Sequence, residues 1–274
     1  MICIYHGNCA DGFGAAWAVW KFHRLWDEGV EFYPGVYQND PPNVEGQDVV
    51  MVDFSYKRPV LLEIASKAKS ILIIDHHKTA AEDLVDLPSN VTTIFDMDHS
   101  GAVLTWKHYF NEQIPFLLRH IEDRDLWRFL LPGTRQIQAA VFSYPYDFEV
   151  WYKLVASFDE FGNTTLLQEG EAIERKHFKD IDELLEVTTR EFTIGGHTVP
   201  VANLPYTLSS DAGHKLAQGK PFAGCYWDTP DGRVFSLRSA DDGLDVSEIA
   251  KQYGGGGHKN ASGFRVPYDH ELAA

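Results

Sequence analysis

Three short apolar runs, each ending in an acid or an imidazole, set the pattern of the first half of the chain. Met1-Ile-Cys-Ile-Tyr-His6 passes through the polar loop Gly7-Asn-Cys-Ala-Asp11-Gly12 into Phe13-Gly-Ala-Ala-Trp17-Ala-Val-Trp20-Lys-Phe22, where apolar residues recur at helical spacing. Asp48-Val-Val-Met-Val52 runs into Asp53-Phe54, and Ile71-Leu-Ile-Ile74 into Asp75-His76-His77. Continuous apolar runs of this length read as strands covered on both faces, as in a parallel sheet. Strand, polar loop and helix make a βα unit, and ligands of open α/β sheets gather at the carboxyl ends of their strands. One strand-end Asp is commonly a helix cap, and one strand-end His a packing residue. Three successive strands delivering such groups to one edge are not explained by capping.

The pattern continues as helices and then changes. Residues 59 to 68 read as a helix begun by Pro59. Ser100 is placed to cap a helix from Gly101, and Pro115 opens another that leads to Glu122-Asp123-Arg124-Asp125-Leu126-Trp127. Acids at a helix C-terminus sit badly against the dipole, and a bound cation would offset that. From 148 to 190 the pattern is amphipathic and helical, with a polar break at Gly162-Asn163 and a long connecting helix over Leu166 to Leu185. After 191 strands return. Gly195-Gly196 turns a hairpin, a helix starts near Ser210-Asp211, and Pro230-Asp-Gly232 joins two strands. Asp245 caps a helix, followed by Gly254-Gly-Gly-Gly257-His258 and a last strand through Phe264. The expected fold is α/β. An N-terminal parallel-sheet domain (1–150) is followed by a helical linker (151–190) and a smaller α+β domain (191–274).

Composition narrows the classes. Of the 274 residues 44% are hydrophobic, enough for a large core, and no run of about 18 apolar residues suggests a membrane span. The chain enters strand-like sequence at once, with no secretory signal pattern, and Cys3, Cys9 and Cys225 are too few for a disulfide framework. A reducing cytoplasm is the expected compartment. The net charge of −16 repels long polyanions, which argues against tracking long duplex DNA and for a small substrate or short nucleic acid.

Four consecutive glycines are costly in folding entropy. A flexible linker would explain them, but not the His-Lys-Asn-Ala-Ser-Gly-Phe that follows; a phosphate-cradling loop with His258 as donor suits the stretch better. Gly12 and Gly14 likewise suggest close backbone approach at a helix start, where amides meet a phosphate. Together these residues resemble the DHH phosphoesterase family, in the branch with the type 1 DHH-associated C-terminal domain, which includes RecJ-type exonucleases, nanoRNases and cyclic-dinucleotide phosphodiesterases. His6 to Gly14 resembles its first motif, Asp53 its second, Asp75-His76-His77 the triplet that names it, and Asp123 with Trp127 and Arg128 its fourth. Gly255-Gly-Gly-His258 with Ala261-Ser-Gly-Phe264 resembles the C-terminal signature, and Ser236-Leu-Arg238-Ser239 its arginine strand.

The resemblance implies a two-metal hydrolase of short phosphodiesters: short oligonucleotides, or linear or cyclic dinucleotides. It implies two divalent ions, Mn²⁺ first, with Zn²⁺, Fe²⁺, Co²⁺ or Mg²⁺ as alternatives. His6 and Asp53 would hold one ion, and Asp11, Asp53, His76 and Asp123 the other, with Asp53 bridging. Asp75, His77 and Asp53 would serve the chemistry, with His77 beside the scissile phosphate. Arg238, Ser239, Gly255, Gly256, Gly257 and His258 would hold the substrate, in a cleft that sets its length. Asp125 is expected to support Arg124 or the backbone. Cys9 stands where the family usually has an acid, and a thiolate would favour a softer metal than Mn²⁺. A phosphoanhydride or phosphomonoester hydrolase is the rival enzyme, and a nucleotide-binding sensor with a decayed site the rival of another class. The protein is expected to be a monomer or homodimer.

Overall fold

The computed structural model describes every residue except 8, 27, 28, 162, 163 and 274, and of residues 158–161 and 164 the backbone alone. The break read at Gly162-Asn163 therefore lies outside the described residues. The chain divides into two units, Met1–Glu174 and Arg175–Ala274.

The first unit is built on a five-stranded sheet in the order β2-β1-β3-β4-β5, with every pairing parallel. The strands are β1 (Ile2–His6), β2 (Glu31–Gly35), β3 (Asp48–Val52), β4 (Ser70–Asp75) and β5 (Val91–Phe95). The three expected from apolar runs, β1, β3 and β4, are the central ones. β2 and β5 were not legible as strands. Each is an edge strand, and an edge tolerates the Pro34 that would interrupt a central strand. Register sets where the strand ends fall. Tyr5 pairs with Val52, and Val52 with Ile74, so the next residue of each strand, His6, Asp53 and Asp75, falls in one row along the carboxyl edge.

Helices α1 (Ala10–Arg24), α4 (Gly101–Tyr109), α5 (Phe116–Asp125), α6 (Thr134–Val141) and α7 (Phe148–Phe161) meet around Trp17, Trp106, Leu118, Ile137 and Trp151. A second cluster joins Ile4, Met51 and Ile73 to Leu61 and Ile64 of α2 (Arg58–Lys67). The short α3 (Lys78–Asp83) follows His77. The Ser100 hydroxyl accepts a hydrogen bond from Val103 N at 3.4 Å, the expected cap. The unit boundary falls within α8 (Thr164–Thr188).

The second unit carries a six-stranded sheet in the order β10-β11-β9-β8-β7-β6, antiparallel except between β7 and β8. Its strands are β6 (Thr189–Ile194), β7 (His197–Asn203), β8 (Ala223–Thr229), β9 (Gly232–Arg238), β10 (Gly256–His258) and β11 (Ala261–Val266). Helices α9 (Ser209–Leu216) and α10 (Val246–Lys251) complete it. The glycine run corrects an expectation: it is not a loop, because Gly256 to His258 pair with β11. The glycines are needed for close approach. A Cβ on Gly255 would lie 2.1 Å from the Gly263 carbonyl, and Gly257 has φ +138° with the Ala261 carbonyl 2.6 Å from its missing Cβ. No helix among the described residues is long and apolar enough to cross a membrane.

Candidate metal centre

The row at the carboxyl edge of β1, β3 and β4 becomes a cluster because of how each strand ends. Asp53 follows β3 in the left-handed region, at φ +53°, a conformation that a short polar side chain tolerates better than most. Its amide donates to the Ile74 carbonyl at 2.9 Å, so the strained turn is tied to the neighbouring strand. The Cβ that Gly101 lacks would lie 2.4 Å from Asp53 Cβ, so the start of α4 closes over this residue only as glycine.

His76 Nε2 is the focus. Asp53 Oδ1 lies 3.0 Å from it, Asp11 Oδ2 3.6 Å and Asp125 Oδ2 3.6 Å. His6 Nδ1 lies 3.4 Å from the other Asp53 oxygen, and His77 Nδ1 4.0 Å from Oδ1. Within the first unit, donor atoms form two tight sets among the described residues, His6–Asp53–His77 and Asp11–His76–Asp125, and Asp53 adjoins both. Asp75 lies behind them, fully buried. Its Oδ1 accepts from the backbone amides of His76 (2.8 Å) and His77 (3.3 Å) and pairs with His77 Nδ1 at 2.6 Å; Oδ2 accepts from the Ser55 hydroxyl at 2.9 Å. Asp75 orients the His77 imidazole and ties the backbone of both histidines rather than facing the sets.

The electrostatics suit a divalent cation. Burial, then the Asp53 and Asp125 charges, hold the Asp11 carboxyl well above the usual carboxylate range. Burial likewise raises Asp125. For His76 burial opposes the cation, but the hydrogen bond to Asp53 and the charges of Asp125, Asp53 and Asp11 overcome it and raise the imidazole well above its ordinary value. Burial opposes the Asp53 charge too, yet hydrogen bonds from His6 and His76 hold its carboxyl far below the usual range. His76 sits among three carboxylates, in surroundings suited to a divalent ion, and imidazole with carboxylate is a donor set for Mn²⁺, Zn²⁺ or Fe²⁺.

No protein-family model matches the chain. It is 33% identical to an uncharacterized protein of Acanthamoeba polyphaga mimivirus, over 96% of this chain and 66% of the relative. It is 35% identical over 110 residues to oligoribonuclease NrnB of Bacillus subtilis (strain 168), covering 40% of this chain and 26% of that protein. The chain thus spans less than two thirds of either relative's length. In structure it matches the DHH domain of a member of the S1p family of ribosomal proteins, with TM-score 0.59 and 13% identity over 96% of this chain and 82% of the other. The pGpG-specific phosphodiesterase PggH from Vibrio cholerae matches with TM-score 0.50 and 16% identity (97% and 94% covered). RecJ from Thermus thermophilus, in complex with Mn²⁺, matches with TM-score 0.50 and 13% identity (97% and 49%). In fold the chain is similar to DHH-domain proteins.

The structure brings together His6, Asp11, Asp53, Asp75, His76 and His77, and with them Cys9, whose thiol hydrogen-bonds His6 and is raised by burial against that bond. It does not bring Asp123 to the set. Asp123 is buried, and its carboxylate accepts from the amides of Leu130 (2.8 Å) and Leu131 (3.0 Å) and from the Thr134 hydroxyl (2.6 Å). Asp125, two residues on, reaches His76 instead. Register along the motif pointed to Asp123 over Asp125, whereas the placement depends on which way the last turn of α5 faces. Asp11 does cap a helix, but not its own: Oδ2 accepts from Gly101 N at 2.6 Å and Oδ1 from Ala102 N at 3.0 Å, at the start of α4. Gly12 and Gly14 serve packing, since their missing Cβ atoms would lie 2.3 Å from the His6 carbonyl and 3.0 Å from Ala102 Cβ. Sequence reasoning also missed Tyr37, whose ring meets those of His6 at 5.3 Å and His77 at 6.1 Å. Nothing in its surroundings along the chain signalled it. In the second unit Arg238 donates to the Ser236 hydroxyl (2.9 Å) and the Leu237 carbonyl (2.8 Å). Ser239 is buried, and Asn260 donates to its hydroxyl at 3.1 Å and to its carbonyl at 3.3 Å. That is the position of a support rather than a substrate contact.

Proposed function

We propose that the chain is a metal-dependent phosphodiesterase that hydrolyses short phosphodiesters: oligonucleotides of a few residues, or linear or cyclic dinucleotides. The observation that carries this reading is the pair of donor sets joined at Asp53. His6 and Asp53 would hold one divalent ion, and Asp11, Asp53, His76 and Asp125 a second. When bound, such ions lower the pKa of a coordinated water and offset charge on phosphate oxygens. The residues do the rest. Asp53 spans both sets and fixes their separation. Asp75 holds His77 through Nδ1, which leaves Nε2 to hold or move a proton at the scissile phosphate. Arg238 and His258 of the second unit would hold the nucleotide end, with β10 kept tight by its glycines. The relatives support the class. NrnB is by name an oligoribonuclease, PggH a pGpG-specific phosphodiesterase, and RecJ was solved with Mn²⁺. The −16 charge favours short over long strands.

A screen with Mn²⁺ over dinucleotides, cyclic dinucleotides, short RNA, short DNA and pyrophosphate tests the proposal, with Asp53→Asn as control. Turnover of short phosphodiesters that Asp53→Asn abolishes is the expected result. Processive digestion of long strands at physiological salt, release of phosphate from pyrophosphate alone, or nucleotide binding without turnover would each replace it. Cys9 is read as a softer group that re-tunes the His6 set. Cys9→Asp is expected to shift preference toward Mn²⁺ over Zn²⁺, and unchanged affinity for both ions would show that the thiol only packs there.

A further inference from the structure

Residues 126 to 131 leave the C-terminus of α5 by an unusual route. Trp127 and Phe129, both bulky, have φ of +56° and +50°, in the region that favours glycine. The chain folds straight back. Arg128 N and Phe129 N donate to the Asp123 carbonyl at 2.8 and 3.1 Å, and Leu130 N and Leu131 N to its carboxylate. The Thr134 hydroxyl donates to Asp123 Oδ2 at 2.6 Å, and His120 Nδ1 lies 2.8 Å from Thr134 Oγ1. Asp123 thus collects five hydrogen bonds while almost fully buried. Leu130 is 79% exposed, so its own burial does not hold the turn in place. Strain of this kind persists only where the surroundings over-determine it, and it concentrates where geometry matters. Immediately before the closed turn stands Asp125, the last residue of α5, with Oδ2 3.6 Å from His76 Nε2.

We infer that Asp123, Thr134 and His120 form a positioning assembly that closes the 126–131 turn and thereby aims Asp125 at His76. The inference rests on the reading of Asp125 as a metal donor. Asp123 is then a positioning residue that sets a ligand through the backbone, and not a ligand itself. The assembly also explains why two acids two positions apart do different work. The one facing the helix interior ties the turn, and the one exposed by the turn meets the cation.

Calorimetric titration of the full chain with Mn²⁺ tests this in wild type, Asp123→Asn, Thr134→Val, Thr134→Ser, Asp125→Asn and the Asp123→Asn/Asp125→Asn double variant, with thermal unfolding recorded for each. Asp123→Asn and Thr134→Val are expected to weaken Mn²⁺ binding about tenfold or more, as loss of groups that orient a ligand does. Thr134→Ser, which keeps the hydroxyl, should bind as wild type. In the Asp125→Asn background, Asp123→Asn should cost no further affinity, although it still lowers the unfolding temperature. Losses that add in the double variant, as for two independent ligands, would overturn the inference, and so would full affinity in a folded Thr134→Val protein. Wild type that takes up no Mn²⁺ would overturn the metal reading and this inference with it, whereas additive losses leave the metal reading standing.

Discussion

His120 shows how one buried residue couples this fold to pH. It is 5% exposed, and burial pushes its imidazole from 6.5 down to about 4. The fold therefore prefers the neutral ring. A depressed folded-state value means that the contribution is complete above the unfolded value and is lost as pH falls from there toward 4. About 2 kcal/mol should be gone by pH 5, from the difference between the two values. Denaturant unfolding of wild type and His120→Gln at pH 7 and pH 5 measures it. The stability gap between the two proteins should narrow on acidification, because the variant has no ring to charge. Asp53 illustrates another residue-scale rule. A carboxylate in a left-handed turn is a local cost that the sheet and Gly101 jointly enforce, and it marks the place where backbone geometry has been fixed for a purpose.

At the scale of elements, strands give the site its precision. Parallel pairing with equal register puts the ends of β1, β3 and β4 in one row, and side chains on strand ends are held more tightly than those on loops. Helix starts then close the row: α1 supplies Asp11, and α4 brings Gly101 against Asp53. In the second unit the same closeness governs β10. Gly257→Ala would place a Cβ 2.6 Å from the Ala261 carbonyl on a backbone with φ +138°. The expected loss is about 1–3 kcal/mol, the range for strained backbone. Hydrogen exchange should show faster amide exchange across β10 and β11, with the sheet of the first unit unchanged. Equal loss of protection in both units would show that the glycine holds more than its own hairpin.

For the molecule as a whole, charge is the dominant fact. A net −16, with Asp11, Asp53, Asp75 and Asp125 gathered at one edge of the first unit, is a source of repulsion that divalent cations relieve. Ions that bind the folded chain and not the unfolded one stabilise by mass action, about 2.7 kcal/mol at a hundredfold excess over Kd. Mn²⁺ should therefore raise the unfolding temperature by several degrees, EDTA should reverse the shift, and Asp53→Asn should abolish most of it. Monovalent salt at equal ionic strength should not reproduce the effect. A rise of the same size in Asp53→Asn would move the binding away from the carboxyl edge of this sheet.

The sequence by itself determined the architecture. Apolar runs, strand-ending acids and imidazoles, and punctuation by Gly and Pro announced β1, β3 and β4, most of the helices and the residues His6, Asp11, Asp53 and Asp75 to His77 as one group. Those signals are local, because burial on both faces and helix starts leave their mark within a few residues. Edge strands β2 and β5 were lost, since half-buried strands carry weak patterns. Only the tertiary structure placed Asp125 rather than Asp123 beside His76, found Tyr37 against the imidazoles, and turned the glycine loop into β10. Each of those depends on where a side chain points or on what lies across from a backbone, and such contacts join residues far apart in the chain, where no local pattern records them.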